Sequence, residues 1–339
     1  MTPLRTVKLD DKYLAQSGEA MMTGVQALVR LPLDRKRMDA EAGLRTAGFI
    51  SGYRGSPLGG YDQQLAAAAR ILKPADIHVW EGLNEDLAAT AVWGSQQAQA
   101  FPGALFDGVF GLWYGKAPGV DRTGDVFKHA NMAGVDPKGG VIAVAGDDPM
   151  CKSSTLPSQS EFAFIDAEIP VLAPASVQEV LDYGLIGWEV SRRSGLWTAL
   201  IALADTMDSA AVVNVGAQRL AARFAALADT PADVRLRAGD TPMEKERRLR
   251  EVKLPRAREL ARLMGLDATI LAAPRPRLGV IVSGQASRDV FEALGALGLT
   301  SEEAAALGLS IFKVGMPWPL ETSAVRGFCR GLESVLVIE

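Results

Sequence analysis

Four stretches of the sequence combine residue types that could carry chemistry, and each directly follows a short apolar run. Two of them are rich in glycine or acids: 52–60 reads GYRGSPLGG, and 84–94 reads NEDLAATAVWG. The other two carry charges and hydroxyl groups: 113–122 reads WYGKAPGVDR, and 146–161 reads GDDPMCKSSTLPSQSE. Glycines let a ligand approach the backbone, helix N-termini attract anions, and lysine or arginine can hold a carboxylate. These stretches are therefore candidate ligand-binding loops.

Each stretch also has a plain structural interpretation, which the residues alone leave open. The glycines at 52–60 suit a tight turn, since the stretch lacks both a P-loop and a G-x-G-x-x-G dinucleotide fingerprint. Glu85 follows Asn84, a good helix N-cap, and acids are common in the first turn of a helix. The third stretch suits a surface loop. Asp147 and Asp148 favour loop-structuring hydrogen bonds over a divalent metal site, because further carboxylates are lacking nearby.

The elements that must position these stretches alternate between strands and helices. Strands are predicted at 47–51, 77–80, 109–113, 141–145 and 199–203. Helices are predicted at 20–45, 61–72, 84–100, 125–133 and 177–193. This alternation predicts βαβ units, a mostly parallel sheet and helices on both of its faces, because the strands are apolar throughout. Ligands of such sheets bind at the carboxyl ends of the strands, so the four stretches are expected at one edge.

The chain divides into a first domain at 1–215, a charged helical connector at 216–270 and a smaller α/β domain at 271–339. Acids interrupt the basic residues of 241–262, which favours a solvated helical connector over a nucleic-acid patch. Strands of the smaller domain are predicted at 278–282, 309–314 and 335–338. The last of these reads as a buried strand at which the chain stops, so we expect a fragment of a longer protein.

Composition excludes several classes of protein. The 339 residues are 48% hydrophobic and 22% charged with a net charge of -4, typical of a globular protein of two domains without nucleic acid or membrane as partner. Cys151 and Cys329 form no CxxC pattern, so neither disulfides nor metal clusters are expected from them, and a reducing cytoplasm fits. The sequence has no signal-peptide core and no apolar run of about 18 residues.

Taken together, the stretches resemble the 2-oxoacid:ferredoxin oxidoreductases of the indolepyruvate type. Residues 52–57 resemble a GYPGTP segment of that family, 84–86 resemble the start of its glutamate-bearing helix, and 146–149 with 153–154 resemble its ADDP…SSQ segment. Residues 313–320, KVGMPWPL, resemble the signature of its second domain. The resemblance is greatest to the N-terminal part of the long, fused bacterial enzymes. It implies a pyrimidine-binding thiamine diphosphate domain, followed by a smaller α/β domain like the C-terminal domain of transketolase.

The resemblance also implies a reaction and its cofactors. An aryl 2-oxoacid such as indolepyruvate, CoA and oxidised ferredoxin would give an acyl-CoA, carbon dioxide and reduced ferredoxin, with thiamine diphosphate, Mg²⁺ and [4Fe–4S] clusters as cofactors. The family's diphosphate and Mg²⁺ site needs a Gly-Asp-Gly segment, and its clusters need grouped cysteines; the sequence contains neither. We therefore expect those regions elsewhere in a cytoplasmic, homodimeric full-length protein, and expect this chain alone to be inactive.

The family's activating acid falls on Glu85 in this sequence. In the family, a carboxyl hydrogen-bonded to N1′ of the aminopyrimidine favours its imino tautomer, which can take the proton from thiamine C2. A carboxyl that burial keeps protonated can donate that hydrogen bond. Glu81 lies four residues earlier and is the rival, but it stands outside the Asn-Glu-Asp pattern.

The resemblance assigns further roles to the glycine-rich stretch and to the basic residues of the third stretch. The expected cofactor-binding residues are Glu85, Gly55, Ser56 and Pro57. The expected substrate-binding residues are Ser56, Arg54, Lys116 and Arg122. Ser56 replaces a threonine that the family places near the substrate, whereas Arg54 replaces a proline and adds a cation. Two alternatives stay open: the same chemistry on pyruvate or branched-chain 2-oxoacids, and a non-catalytic α/β assembly module.

Overall fold

The computed structural model describes residues 8–225, 227, 230–237 and 239–339. Its strands are β1 Gly18–Thr23, β2 Thr46–Gly52, β3 Ile77–Glu81, β4 Gly108–Lys116, β5 Val141–Asp147, β6 Val171–Leu172, β7 Thr198–Leu203, β8 Ala210–Val215, β9 Ala268–Leu271, β10 Leu278–Ser283, β11 Leu309–Val314 and β12 Ser334–Ile338. Its helices are α1 Asp11–Leu14, α2 Gly24–Glu41, α3 Tyr61–Ala67, α4 Ala69–Leu72, α5 Glu85–Ser95, α6 Ala117–Arg122, α7 Gly124–Ala133, α8 Glu161–Asp166, α9 Val177–Ser194, α10 Ala204–Asp208, α11 Ala221–Ala225, α12 Pro242–Arg248, α13 Leu254–Leu263, α14 Ala286–Ala296, α15 Ser301–Ala306 and α16 Thr322–Cys329. No helix within those ranges is long and apolar enough to cross a membrane.

The largest sheet has six parallel strands in the order β3-β2-β4-β5-β7-β6. Successive residues of β4 point to opposite faces, and both faces are buried: Leu112 and Tyr114 join one hydrophobic core, and Trp113 joins the other. Helices α2, α3 and α9 cover the first face, and α5, α7 and α8 cover the second. A parallel sheet covered on both faces requires such continuous apolar strands. The predicted parallel sheet with helices on both faces is confirmed.

The predicted helix at 20–45 is wrong over its first residues, which form strand β1. This strand pairs antiparallel with β8, which places Met21 opposite Val212. Helix α2 begins only at Gly24, where the Thr23 hydroxyl accepts a hydrogen bond from the Gln26 backbone at 3.2 Å. Gln26 returns a bond to the Thr23 backbone at 3.1 Å, which completes a capping box. A short apolar segment is compatible with either element, and here a strand distant in sequence decides.

A buried ionic cluster joins α2, β2 and α9. The Asp39 carboxylate accepts two hydrogen bonds from Arg192, at 2.6 and 2.8 Å, and one each from Arg35 at 2.5 Å and Thr46 at 2.8 Å. Arg35 also donates to Glu189 at 2.6 Å. Burial by itself raises the pKa of Glu189, but the neighbouring guanidinium groups outweigh it and hold that pKa at about 2. The carboxylates of the cluster are therefore ionised at neutral pH.

The connector is helical, as predicted, but it is only partly solvated. A π-helical turn, Leu249–Lys253, joins α12 to α13. The apolar residues Ala257, Leu260 and Ala261 belong to the same hydrophobic core as α9, and Lys253 is 1% exposed. These three residues recur at helical spacing and give α13 an apolar face, which rests on α9 despite the many charges of the segment. The expectation of a fully solvated connector is wrong for this reason.

A second, four-stranded sheet has the order β12-β10-β11-β9. Strand β10 pairs parallel with both neighbours, and β9, which the sequence did not predict, pairs antiparallel with β11. The predicted strand at 335–338 is present as β12, but the prediction that it is buried is wrong. Val335, Leu336 and Val337 are 40%, 52% and 58% exposed, because β12 is an edge strand that pairs only with β10 in the described part of the chain.

The segment at 313–320 connects the two sheets. The Lys313 ammonium contacts both carboxylate oxygens of Glu179, on α9, at 2.5 Å. The Val171 backbone, in β6, donates to the Trp318 carbonyl at 2.7 Å. Asp267 accepts a hydrogen bond from the Gly315 backbone at 2.9 Å, and burial raises the Asp267 pKa to about 6. The segment that resembles a second-domain signature thus forms the joint between the domains.

Candidate active site

The four stretches singled out in the sequence lie at one edge of the six-stranded sheet. They follow β2, β3, β4 and β5, whose carboxyl ends share that edge because the strands are parallel. From β2 the chain moves outward to β3, then crosses back past β2 to β4 and continues to β5. The order of the strands therefore reverses between β2 and β4. Ligands of open α/β sheets bind at such a switch point.

Glu85 is the first residue of α5, which starts beside this switch point. The Asn84 side chain accepts a hydrogen bond from the Leu87 backbone at 2.9 Å, so the predicted N-cap is confirmed. Glu85 is only 8% exposed, whereas the rival Glu81, at the end of β3, is exposed. Among the described residues, no side chain or backbone group pairs with the Glu85 carboxylate. Its oxygens are not among the fully enclosed polar atoms that lack a partner, so water or a bound group can reach the carboxylate.

The third stretch surrounds Glu85. The indole nitrogen of Trp113 donates to the Glu85 carbonyl oxygen at 3.1 Å, which ties the first turn of α5 to β4. A Cβ atom on Gly119 would lie 2.6 Å from Oε1 of Glu85, and a Cβ on Gly115 would lie 2.7 Å from the indole ring. Residues 117–122, predicted as a loop, form the short helix α6. Neither contact is visible in the sequence, where the two glycines resemble loop residues.

Lys116 and the glycine-rich stretch meet at the switch point. The aliphatic part of Lys116 crosses Gly55, since a Cβ atom on Gly55 would lie 2.9 Å from Cδ of the lysine. Arg54 is exposed and lines a cleft together with Glu81 and Tyr114. Two of the predicted ligand-binding residues, Gly55 and Lys116, are therefore in contact, and Arg54 lies beside them in the chain.

Ser56 and Pro57 rest on the loop that follows β5. The Ser56 hydroxyl hydrogen-bonds the Ser153 hydroxyl, which in turn donates to Asp148 at 3.1 Å. Pro57 is buried against Gly146, where a Cβ atom would lie 3.2 Å from the proline ring. The first and fourth stretches, which are far apart in sequence, thus form one surface.

The acids of the fourth stretch mainly hold its loop in place. Asp148 accepts hydrogen bonds from the backbone of 152–154, at 2.7 to 3.0 Å. Asp147 accepts from the backbone and hydroxyl of Ser160, at 2.7 and 2.6 Å, and burial raises its pKa. The predicted loop-structuring bonds are confirmed. Burial raises the pKa of Glu161, the first residue of α8, to about 7. Sequence patterns do not predict this shift, because the burial of a helix-starting acid depends on distant elements.

Arg122, the other predicted carboxylate binder, lies at the surface. Its Nε atom is 3.3 Å from the Asp86 carboxylate, and the two side chains are 55% and 34% exposed. This ion pair joins the end of α6 to the residue that follows Glu85. Lys116 thus contacts the glycine-rich stretch, whereas Arg122 contacts α5.

Comparison with known proteins identifies several that are similar to this chain. Residues 268–339 match the family model described as the indolepyruvate oxidoreductase domain. Over 98% of its length the chain is 26% identical to the indolepyruvate oxidoreductase subunit IorA of Methanothermobacter marburgensis, and 24% identical to that of Pyrococcus abyssi. The chain is therefore similar to indolepyruvate oxidoreductase subunits over nearly its whole length. It covers 48% and 47% of those two relatives, so it spans about half of their length.

Two solved structures share the fold of this chain. The 2-oxoglutarate:ferredoxin oxidoreductase from Magnetococcus marinus, with 2-oxoglutarate, coenzyme A and succinyl-CoA bound, superposes with a TM-score of 0.67 at 13% identity, over 94% of this chain and 57% of that one. The transketolase from Leishmania mexicana superposes with a TM-score of 0.52 at 13% identity, over 96% of this chain and 39% of that one. The predicted fold, a parallel sheet with helices on both faces followed by a smaller α/β domain, is confirmed, and both neighbours share it.

Proposed function

We propose that the full-length protein containing this chain is a thiamine-diphosphate-dependent 2-oxoacid oxidoreductase. It converts indolepyruvate or another aryl 2-oxoacid, with CoA and oxidised ferredoxin, to an acyl-CoA, carbon dioxide and reduced ferredoxin. The observation that carries this proposal is Glu85, a largely buried carboxyl group without a partner in the described residues, at the switch point of the six-stranded sheet. The relatives are indolepyruvate oxidoreductase subunits, which favours an aryl substrate.

The residues around Glu85 fit an aminopyrimidine. The carboxyl has no hydrogen-bond partner among the described side chains, so it is free to bond a pyrimidine nitrogen, and Gly119 lets α6 pack directly against it. When bound, thiamine diphosphate supplies the carbanion chemistry that decarboxylation of a 2-oxoacid requires. Glu85 then holds a proton at the pyrimidine nitrogen N1′.

The remaining predicted residues line the same edge. Gly55, Ser56 and Pro57 contact the cofactor, and Ser56 also hydrogen-bonds the 2-oxoacid. Lys116 binds the substrate carboxylate by a charge-assisted hydrogen bond, which its position across Gly55 supports. The further cations assigned to the substrate are Arg54 and Arg122. In the full-length cytoplasmic homodimer, Mg²⁺ and the [4Fe–4S] clusters are held by regions outside this chain.

A substrate panel on the full-length protein tests this function. With CoA and ferredoxin supplied, we expect kcat/KM for indolepyruvate or phenylpyruvate to exceed that for pyruvate and 2-oxoisovalerate by roughly tenfold or more, as pocket fit allows. The measurements are ferredoxin reduction and acyl-CoA formation. A preference for pyruvate or the branched-chain acid would support the alternative specificity. Absence of turnover with every 2-oxoacid would support a non-catalytic assembly module.

Residues 1–339 alone are expected to bind thiamine diphosphate weakly, even with Mg²⁺ present. The chain offers Glu85 to the pyrimidine but contains no Gly-Asp-Gly segment for the diphosphate and its metal ion. Isothermal titration of the chain is expected to give a Kd above about 100 μM, and the full-length protein, as the control, a much lower one. Tight, Mg²⁺-dependent binding by the chain alone would contradict the assignment of the diphosphate site to another region.

A further inference from the structure

The indole nitrogen of Trp113 makes a hydrogen bond in addition to the packing contacts of its ring. This side chain is fully buried in the core under α5, and its nitrogen donates to the Glu85 carbonyl at 3.1 Å. Trp197 offers a comparison within the same core, because it is equally buried and packs on the same Phe127 ring. The nitrogen of Trp197 has no partner in the described part of the chain. The Trp113 bond therefore holds the first turn of α5 in addition to filling the core.

Two glycines four residues apart leave the space that this arrangement needs. A Cβ atom on Gly115 would lie 2.7 and 2.8 Å from two carbons of the Trp113 ring. A Cβ atom on Gly119 would lie 2.5 Å from Cγ, 2.6 Å from Oε1 and 2.9 Å from Cδ of Glu85, and these are its three nearest atoms. Carbon atoms do not approach so closely, so any side chain at Gly119 displaces the Glu85 carboxyl specifically.

We propose that Trp113, Gly115 and Gly119, here called the Glu85 seat, are positioning residues that fix the backbone and the carboxyl of Glu85. The inference rests on the proposed function, in which Glu85 is the activating acid. It gives the third stretch of the sequence a role apart from substrate binding by its basic residues. Displacing a reacting group by about 1 Å can lower the rate on the order of 100-fold. Substitutions in the Glu85 seat should therefore lower the reaction rate measurably.

The first test is Gly119→Ala in the full-length protein. We expect kcat to fall by roughly 10- to 100-fold while KM for the 2-oxoacid changes by less than about threefold, because only the acid is displaced. The pH dependence of kcat should shift as the surroundings of the carboxyl change. Isothermal titration of cofactor-free protein should show weaker binding of thiamine diphosphate. Gly124→Ala is the matched control, since a Cβ atom there meets no atom within 4 Å.

Trp113→Phe tests the hydrogen bond to the Glu85 carbonyl. It is compared with Trp197→Phe, which removes a similar volume from the same core but no hydrogen bond of the described structure. Thermal unfolding measures the loss of packing in each variant. We expect similar unfolding temperatures, but a lower kcat in Trp113→Phe than in Trp197→Phe. Equal kcat values in the two variants would contradict a positioning role for Trp113.

A double variant separates the seat from the proposed function. In a Glu85→Ala background the acid is absent, so adding Gly119→Ala should change cofactor affinity and residual activity by less than about twofold. The positioning role would be overturned, with Glu85→Ala still inactive, by either of two results. One is that Gly119→Ala lowers cofactor affinity and residual activity as much in the Glu85→Ala background as in the wild type. The other is that Gly119→Ala alone has wild-type activity. Full activity of Glu85→Ala would instead overturn the proposed function, and the role of the seat with it.

Discussion

Replacing Glu85 by glutamine in the full-length protein is expected to lower 2-oxoacid-dependent ferredoxin reduction by about 100-fold or more. Glutamine has nearly the same shape, so it keeps the packing against Gly119, and the Trp113 bond to the backbone carbonyl is unaffected. It has no acidic proton, however, to hold at the pyrimidine nitrogen. The rate is measured with saturating 2-oxoacid, CoA and thiamine diphosphate, so that weaker binding does not obscure the effect.

Glu81→Gln is the control for this experiment. Glu81 lies four residues earlier, at the end of β3, where it lines the cleft beside Arg54 but is exposed to solvent, and its replacement is expected to lower the rate far less than that of Glu85. If Glu81→Gln abolished activity and Glu85→Gln did not, the roles of the two acids would have to be exchanged. Unchanged activity in both variants would contradict the assignment of either acid as the activating carboxyl group.

Asp39→Ala is expected to lower the free energy of unfolding by about 3–5 kcal/mol, because it breaks a buried ion cluster. Asp39 is fully buried and accepts hydrogen bonds from Arg192, Arg35 and Thr46. Its removal leaves Arg192, which is 5% exposed, without its carboxylate partner. Urea unfolding at pH 7 measures the loss. A decrease below about 1 kcal/mol would show that water or another carboxylate replaces Asp39.

Glu333→Ala is the control for the Asp39 experiment. Glu333→Ala breaks an exposed pair with Arg277, at 2.8 and 2.9 Å, and should leave the free energy of unfolding nearly unchanged.

The guanidinium groups of the buried cluster lower the pKa of Asp39 and hold that of Glu189 at about 2. Because these folded-state values lie below those of an unfolded chain, the stabilisation is complete above about pH 5 and disappears as the pH falls toward 2. Asp39→Ala should lose much of this acid sensitivity.

Local patterns in the sequence were sufficient for the parts of the site that local interactions determine. The Asn84 cap depends on a side chain and a backbone group three residues apart, and the strands before each polar stretch are short apolar runs. A parallel sheet brings the carboxyl ends of its strands to one edge, so the common location of the stretches followed from the alternation of elements. The burial of Glu85 and the exposure of Glu81 did not, because both depend on what α5 packs against.

Interactions between residues far apart in sequence account for the errors. The sequence predicts a helix where strand β1 lies, because the partner of that strand, β8, is at the other end of the first domain. The charges of the connector concealed the apolar face of α13, and an edge position exposes the apolar side chains of β12. The contact between Gly119 and Glu85 depends on α6 crossing the start of α5. Spacing along the chain contains no information about such crossings.

The packing of α13 on α9 has a practical consequence for anyone who shortens this protein. The hydrophobic core of the first domain extends through Ala257, Leu260 and Ala261 to Met264 and Leu266, well beyond the last strand of that domain. A version that ended at residue 215 would lose all five side chains and expose one side of α9 to solvent. A version that ended just after Leu266 would keep that side covered, so the two cuts are not equivalent.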